Sequence, residues 1–147
     1  MEYCSNPKAR FDYEILETIE TGLVLEGHEV KAIKTGRASI KGSYVKILEG
    51  VPYLIGATIS PYQPANTPKD YDSHRSRKLL LSKKEISAII GTSQSHGLTL
   101  VPLKIYGKKG RLKLLVGIAR GKKKYDKREA LKRKDIERAK QRGLEEF

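Results

Sequence analysis

Hydrophobic and polar residues alternate along three stretches of the chain, and a period of two is typical of strands with one buried face. The first stretch is KARFDYEI at residues 8–15, where every second residue is apolar, so we predict a half-buried strand there. The second, SYVKILEGVPYLIGATI at residues 43–59, predicts two strands joined by a turn that contains Gly50. The third, LTLVPLKIYGKKGRLKLLVGIA at residues 98–119, predicts a hairpin whose apolar side chains alternate in both strands.

Two other stretches have the residue spacing of short helices. The sequence LEGHEVKAIKTG predicts a helix that ends at Gly36. We also predict a helix over residues 76–91, SRKLLLSKKEISAIIG, in which Ser82 and Glu85 have capping-box spacing and Gly91 forms the C-terminal cap. Residues 60–74 are rich in Pro, Asn, Asp and Ser, which predicts a loop.

About five strands with short interrupting helices predict one small, mainly β domain, and a length of 147 residues fits a single domain. Among small antiparallel barrels, the oligonucleotide-binding (OB) fold is the commonest one that binds RNA. We therefore predict an OB-fold-like antiparallel β-barrel with about three short flanking helices. The barrel should comprise residues 1–121, followed by a basic C-terminal tail at residues 122–147.

Positive charge is concentrated near the C-terminal end. The chain has a net charge of +13 and a pI near 9.8, which indicates a polyanionic partner. Nine of its 30 Lys and Arg residues lie in the segment RGKKKYDKREALKRK, residues 120–134. Too few sizeable apolar residues follow Gly121 to form a packed face. We therefore predict that the tail is disordered in isolation and becomes helical when a polyanion neutralises its charge.

Several classes of protein are not expected. We find no signal peptide and no run of 18 apolar residues, so we expect a cytoplasmic protein with no membrane partner. The single Cys4 cannot form an internal disulfide, and the three scattered histidines lack metal-ligand spacing, so we predict no metal and no cofactor. No Walker loop, CxxC motif or supported Ser-His-Asp order occurs, and we predict no catalytic residues. The GKKG at residues 107–110 matches the GxxG loop of KH domains, but between two strands a hairpin turn explains it better.

Basic and aromatic residues occur close together at several points, a combination that binds phosphates and stacks bases. The candidates are Lys8, Arg10, Phe11 and Tyr13 near the N-terminus, Arg75, Arg77 and Lys78 before the apolar LLL, and Lys113, which should be exposed on the predicted hairpin. Glu20 and Glu29 are acidic exceptions. Each forms a structural ion pair or accepts a hydrogen bond from a base edge or a ribose 2′-hydroxyl.

Five motifs in consecutive order resemble the small protein B (SmpB) family, the bacterial partners of transfer-messenger RNA. The motifs are NPKARFDY, TGLVLEGHEVKAIKTGRASI, HRSRKLLLSKKEI, GLTLVPLKIY and GIARGKKKYDKRE, and the resemblance runs from about Asn6 to Glu129. It implies an OB-type barrel that binds the tRNA-like end of this RNA. It also implies a role in trans-translation, in which the alanylated RNA enters ribosomes stalled without a stop codon and the tail folds in the vacant messenger channel.

The resemblance also implies roles for particular residues. The positions implied in RNA binding are Asn6, Glu20, Leu80, Lys113 and Gly121, and to these we add the lysines Lys122, Lys123 and Lys124. The positions expected to engage the ribosome are Tyr125, Asp126, Lys127, Arg128, Lys132, Arg133 and Lys134. Two residues, Pro7 and Gly143, depart from the family pattern; the first removes a phosphate contact, and the second would weaken a tail helix by up to about 1 kcal/mol relative to Ala.

The implied partners are transfer-messenger RNA and the ribosome, at its decoding centre and messenger channel. Elongation factor Tu and alanyl-tRNA synthetase would be reached only through the shared RNA, and we expect a monomer. Two alternatives stay open at this stage. A structural ribosomal or general RNA-binding protein would share the charge and the barrel, whereas an RNA-processing enzyme would need a carboxylate or histidine cluster that we do not find.

Overall fold

The computed structural model describes residues 1–63, 65, 67–93 and 97–121. These residues form nine strands and three helices. In chain order they are β1 (Glu2–Ser5), α1 (Pro7–Asp12), β2 (Tyr13–Leu23), α2 (Gly27–Lys34), β3 (Ala38–Ser39), β4 (Tyr44–Leu48), β5 (Val51–Ile55), β6 (Thr58–Ile59), β7 (Arg77–Leu80), α3 (Lys83–Ser93), β8 (Leu98–Lys108) and β9 (Arg111–Gly121).

Seven of the strands form one antiparallel sheet in the order β1-β8-β9-β2-β7-β5-β4, and β3 pairs with β6 alone. β4 also lies close to β8, so the sheet curls back towards itself as a barrel does. The predicted mainly antiparallel β fold with about three short helices is confirmed. The predicted number of strands is too low, because β1 and β7 were missed and β3 and β6 are only two residues long.

The main hydrophobic core lies on the inner, concave side of the curled sheet. Leu114 in β9 and Ile105 in β8 are almost fully buried there, and α2 contributes Ile33 from one end. A smaller cluster lies on the opposite side of the sheet, where Ala9 of α1 packs against residues of β8 and β9 that include Leu103. Helix α1 therefore covers part of the convex side.

The strand predicted at residues 8–15 is wrong over most of its length. Pro7 occupies the first turn of α1, where its fixed φ favours a helix and its missing N–H is not needed. The backbone N–H of Asn6 donates to the carbonyl of Leu103 (2.8 Å), which anchors the chain immediately before the helix. The alternation in this segment is therefore coincidental as far as Asp12, and the true strand β2 begins at Tyr13.

The helix predicted over residues 76–91 begins too early and ends too soon. Residues 77–80 form β7, because Arg77 and Leu79 are buried while Lys78 and Leu80 are exposed, which is the period of a strand. The predicted capping box is confirmed: Glu85 N–H donates to Ser82 Oγ and Ser82 N–H donates to a Glu85 carboxylate oxygen, each at 3.1 Å. Gly91 lies inside α3, which ends at Ser93.

The other predicted elements are confirmed, except that the second strand predicted within residues 43–59 ends at Ile55, and Thr58–Ile59 is the separate strand β6, which pairs with β3. Helix α2 is followed by Gly36, whose φ of +80° is the left-handed conformation expected just after a helix. The two strands around Gly50 are β4 and β5, and the long hairpin is β8 and β9, with Lys109 and Gly110 at the turn. The tail at residues 122–147 lies outside the described residues, so the predictions made for it remain predictions.

Candidate nucleic-acid interface

The convex side of the sheet, which we call the outer face, brings several predicted residues into one line. In register, Leu80 of β7 pairs with Gly22 of β2, Gly22 with Lys113 of β9, and Lys113 with Tyr106 of β8. Neighbours of Lys113 along β9, such as Leu114, point into the core, so these four residues share the opposite side. We call this line the Gly22 row. It places Leu80 and Lys113, which are far apart in sequence, on either side of one glycine. Lys113, which was predicted to be exposed, is half-buried there.

The absence of a side chain at Gly22 lets Leu80 lie across the strand. A Cβ atom at position 22 would lie 3.1 Å from the Cβ of Leu80, closer than packed side chains normally approach. Leu80 nevertheless has 52% of its surface exposed. Leu80 therefore offers an apolar contact, and Lys113 in the same row offers a positive charge, to the same ligand.

Glu20 lies beside the Gly22 row and is held by two residues of β8. Tyr106 Oη donates a hydrogen bond to Glu20 Oε2 (2.6 Å), and Lys108 Nζ donates to the same oxygen (3.2 Å). The hydrogen bond from Tyr106, followed by that from Lys108, lowers the pKa of Glu20. Burial, together with the hydrogen bond to Glu20, raises the pKa of Tyr106 to about 12. Glu20 is thus an ionised acceptor at neutral pH, with its side chain 34% exposed.

Further positive charge surrounds this cluster. Lys104 Nζ lies 5.4 Å from the centroid of the Tyr106 ring, a cation–π contact. Lys104, Tyr106 and Lys108 alternate along β8 and so lie on the same face of the sheet. The predictions from sequence missed all three. The alternation that predicted the β8–β9 hairpin could have identified them, because the polar residues in that alternation are the ones whose side chains point away from the core.

Helix α1 forms one border of the outer face. Asn6 is almost completely buried and its side-chain amide donates to the carbonyl of Pro102 (3.2 Å), so it fixes the start of the helix. Lys8 and Arg10 are exposed on α1. A groove of about 290 Å³ separates α1 from β4 and the start of β8, and the predicted residues that line it are Asn6, Lys8 and Tyr13.

Arg77 and Glu29 are in the interior rather than on this face. Both side chains have no exposed surface, and Arg77 Nη2 donates to Glu29 Oε2 at 2.7 Å. Arg77 Nε donates to the same carboxylate oxygen (3.2 Å), and the other guanidinium hydrogen bonds go to the phenol of Tyr71 and to the carbonyls of Ala57, Arg75 and Ser73. The structure corrects the prediction that Arg77 contacts RNA, because a guanidinium satisfied in the core is not available to a phosphate. Of the two alternatives for Glu29, the structural ion pair is the observed one.

Arg75 contributes to the same buried cluster. It pairs with the second carboxylate oxygen of Glu29, and its side chain is 30% exposed. Burial raises the pKa of Glu29, but hydrogen bonds from the backbone of Glu26 and from Arg77, Arg75 and Tyr71 outweigh it and lower the pKa to about 2. Burial and the hydrogen bond to Glu29 raise the pKa of Tyr71 to about 12. Arg75 is mainly a structural residue with one partly exposed edge.

The remaining predicted residues are distributed as follows. Lys78 is exposed on β7, on the outer face, and Gly121 is exposed at the end of β9. Phe11 is partly buried in α1. The residues predicted in the tail, Lys122 to Lys124, Tyr125 to Arg128, and Lys132 to Lys134, lie outside the described residues. Within the described part of the chain, no group of three or more His, Cys, Asp or Glu residues could hold a metal ion. None of the helices in that part is long and apolar enough to cross a membrane.

Comparison with known proteins shows the family of this chain. The family profile described as "SmpB protein" matches residues 3–146. This chain belongs to the SmpB family. An SsrA-binding protein of Enterococcus faecalis is 50% identical over 139 residues, covering 95% of this chain and 90% of the relative, and one of Halalkalibacterium halodurans is 48% identical over 141 residues, covering 96% and 91%. A solved structure described as "tmRNA-SmpB: a journey to the center of the bacterial ribosome" is 44% identical, has a TM-score of 0.66, and covers 86% of this chain and 92% of its own.

Proposed function

We propose that this SmpB-family chain binds the tRNA-like part of transfer-messenger RNA (SsrA RNA) through its outer face. It then delivers that RNA to ribosomes stalled on messages without a stop codon. The observation that carries the proposal is the Gly22 row beside the ionised Glu20, a partly exposed sheet surface that combines lysines, an apolar side chain and an acceptor. The names of the relatives, SsrA-binding protein, and the solved tmRNA-SmpB structure support the same RNA and the ribosome as partners.

The chemistry of the outer face suits folded RNA. Lys113 and Lys108 supply positive charge for phosphates, which gives affinity without sequence selectivity. Glu20 accepts hydrogen bonds, so it can select a base amino group or a ribose 2′-hydroxyl and disfavour a phosphate. Leu80 gives an apolar contact to a ribose or a base. Selectivity would therefore come from Glu20 and Leu80, and affinity from the lysines.

Helix α1 would extend the same surface. Its exposed Lys8 borders the groove in front of β4, and Arg10 is also exposed on α1. Both can follow the RNA backbone beyond the sheet. Asn6 would act as a positioning residue, since its buried amide holds the start of α1 against β8. Its contribution to RNA binding is thus indirect, through the placement of Lys8.

The basic tail, residues 122–147, would act on the ribosome rather than in capture of the RNA. Tyr125, Asp126, Lys127 and Arg128 would engage the decoding centre, where the Tyr125 ring can stack on an exposed base. The lysines and arginines further along would follow ribosomal RNA phosphates into the empty messenger channel. An occupied channel excludes the tail, so rescue would be restricted to ribosomes without messenger.

We propose that the chain is an RNA-binding factor rather than an enzyme, in line with the names of its relatives. Elongation factor Tu and alanyl-tRNA synthetase would associate with the complex through the shared RNA. We propose that one copy of the chain binds one RNA and that it acts in the cytoplasm.

The test separates the two proposed units by ending the chain after Gly121. We expect binding to the tRNA-like domain within a few-fold of the full chain, because the outer face is retained. Peptide tagging on stalled ribosomes should be lost. A general RNA binder would instead lose affinity steeply, since each neutralised phosphate contributes to the salt-dependent binding constant. Normal tagging by the shortened chain, with an unchanged melting temperature, would overturn the proposed role of the tail.

A further inference from the structure

A second row on the outer face has an aromatic ring between two lysines. Tyr53 of β5 pairs in register with Lys46 of β4 on one side and with Lys78 of β7 on the other. Adjacent strands are about 4.8 Å apart, so the two lysine backbones are about 10 Å from each other with the ring between them. We call this line the Tyr53 row. Lys78 alternates with Leu80, which joins the Tyr53 row to the Gly22 row on one continuous face.

The polar side-chain groups of the Tyr53 row do not take part in the hydrogen bonds and ion pairs that hold the described part of the fold together. Lys46 and Lys78 are exposed and Tyr53 is partly exposed, whereas its neighbours Pro52 and Leu54 are buried in the core. Among the described residues, we find no side-chain hydrogen bond or ion pair made by Lys46, Tyr53 or Lys78. Tyr106, the aromatic residue of the Gly22 row, differs because its hydroxyl is bonded to Glu20. The ring of Tyr53 and both ammonium groups are therefore available to a ligand.

The surroundings of the Tyr53 row favour RNA over a protein partner. The flanking pairs on the same side, Tyr44 with Ile55 and Leu48 with Val51, contain no acidic residue that would neutralise the lysines. Tyr44 and Leu48 are themselves 49% and 41% exposed. Protein interfaces are depleted in lysine, whereas nucleic-acid surfaces combine lysines that contact the backbone with aromatic rings that stack on bases.

We propose that Tyr53 stacks on one unpaired nucleotide of RNA while Lys46 and Lys78 contact the phosphates on either side of it. The inference rests on the proposed function, because it assumes that RNA lies along the outer face. It adds a subsite centred on β5, two strands away from Gly22 itself. The unpaired nucleotide belongs either to transfer-messenger RNA or to ribosomal RNA, and both offer the same chemistry to this subsite.

The first test replaces the aromatic ring by an aliphatic side chain, in the full-length chain. Tyr53→Leu removes stacking, and we expect binding of the RNA that holds the nucleotide to weaken by roughly 5-fold to 100-fold. Tyr53→Phe keeps stacking and should bind within about 2-fold of the original chain. Melting temperatures within a few degrees show that both variants remain folded. Equal binding by the Leu and Phe variants, or equal loss in both, would overturn the role of the ring.

The second test concerns the two lysines. In single-strand binding, each phosphate contact contributes about 0.7 to the slope of log affinity against log salt concentration. We expect the double variant, which carries both Lys46→Gln and Lys78→Gln, to reduce that slope by about 1.4, because two phosphate contacts are lost. Lys31→Gln is the matched control, since Lys31 is exposed on α2 and away from the sheet surface, and it should leave the slope unchanged. An unchanged slope in the double variant would contradict the phosphate contacts.

Two arms identify the source of the nucleotide. The variants are measured with the isolated tRNA-like domain of transfer-messenger RNA and with ribosomes that have an empty A site and no messenger. A loss of binding in either measurement supports the subsite and identifies the RNA that occupies it.

A photo-reactive phenylalanine analogue in place of Tyr53 should crosslink to the same RNA, and a crosslink to protein alone would overturn the inference. If the unaltered chain itself fails to bind the tRNA-like domain, the proposed function fails; if it binds and Tyr53→Leu has no effect in either arm, only the subsite fails.

Discussion

Arg77 and Lys78 are consecutive residues of β7 whose side chains lie on opposite sides of the sheet. Arg77 has no exposed surface and pairs with Glu29 in the core, while Lys78 is exposed on the outer face. Two neighbouring cations of the sequence thus have separate tasks. The first stabilises the fold, and the second is the one that we propose contacts RNA.

Exchanging each cation for methionine should separate these tasks. Arg77→Met leaves the buried Glu29 carboxylate with fewer partners, so we expect the free energy of unfolding in urea to fall by about 3 kcal/mol. Lys78→Met is the control and should change it by less than about 0.5 kcal/mol. In the Lys78 variant, binding should weaken either to the tRNA-like domain or to messenger-free ribosomes, whichever RNA occupies the subsite. Loss of RNA binding by a fully stable Arg77→Met variant would contradict this assignment.

The low pKa of Glu29 predicts a stability change in acid. The value is about 2 in the folded chain, against 4.5 for an ordinary glutamate, so the unfolded chain takes up the proton first as the pH falls. Stability from this group is fully present above about pH 4.5 and is lost between pH 4.5 and 2, by roughly 3 kcal/mol in total. Carbon-detected NMR of the Glu29 carboxyl group should show no titration above about pH 3. A midpoint near pH 4.5 would show that the buried cluster does not hold in solution.

The hydrogen bond between Tyr106 and Glu20 predicts a shift in a phenol titration. The pKa of Tyr106 is about 12, and part of the rise from 10 comes from the bond to the Glu20 carboxylate. In Glu20→Gln the charge is absent, so the pKa of Tyr106 should fall towards 10, with the remaining rise due to burial. NMR of ring-labelled tyrosine, with Tyr106→Phe to assign the signal, measures the change. The same titration in the Tyr53→Phe variant serves as the control and should leave the Tyr106 signal unmoved.

Gly22 and Gly27 provide a matched pair for testing the close approach of Leu80. A Cβ atom at position 22 meets the Leu80 Cβ at 3.1 Å, whereas one at position 27 meets nothing within 4 Å. We expect Gly22→Ala to lower the free energy of unfolding by about 1 kcal/mol, because β2 and β7 must separate slightly. Gly27→Ala, in the first turn of α2, should be neutral or slightly stabilising. Equal effects of the two substitutions in thermal melts would mean that the contact does not constrain β7.

Sequence patterns predicted the elements in which local chemistry and tertiary packing agree. The β8–β9 hairpin has regular alternation on both strands, and Ser82 with Glu85 forms a cap without help from distant residues. The errors arise where distant contacts decide. Pro7 to Asp12 alternates like a strand, yet Ala9 packs as part of a helix against β8.

The candidate site was predicted only in part for a related reason. Composition distinguishes a basic chain from a neutral one, but it does not tell which cation is buried. Arg77 has its partner, Glu29, 48 residues away in the sequence, and only the fold brings the two together. The lysine–tyrosine neighbours in the Tyr53 row are likewise cross-strand pairs, whose register is not visible in any single strand.

The alternation of β7 also restricts how the length of this chain can change during evolution. Inserting or deleting one residue within the strand would exchange its two sides, sending Lys78 into the core and Arg77 into solvent. Both the ion pair with Glu29 and the lysine on the outer face would be lost in one event. Single-residue insertions and deletions should therefore be absent from β7 among relatives.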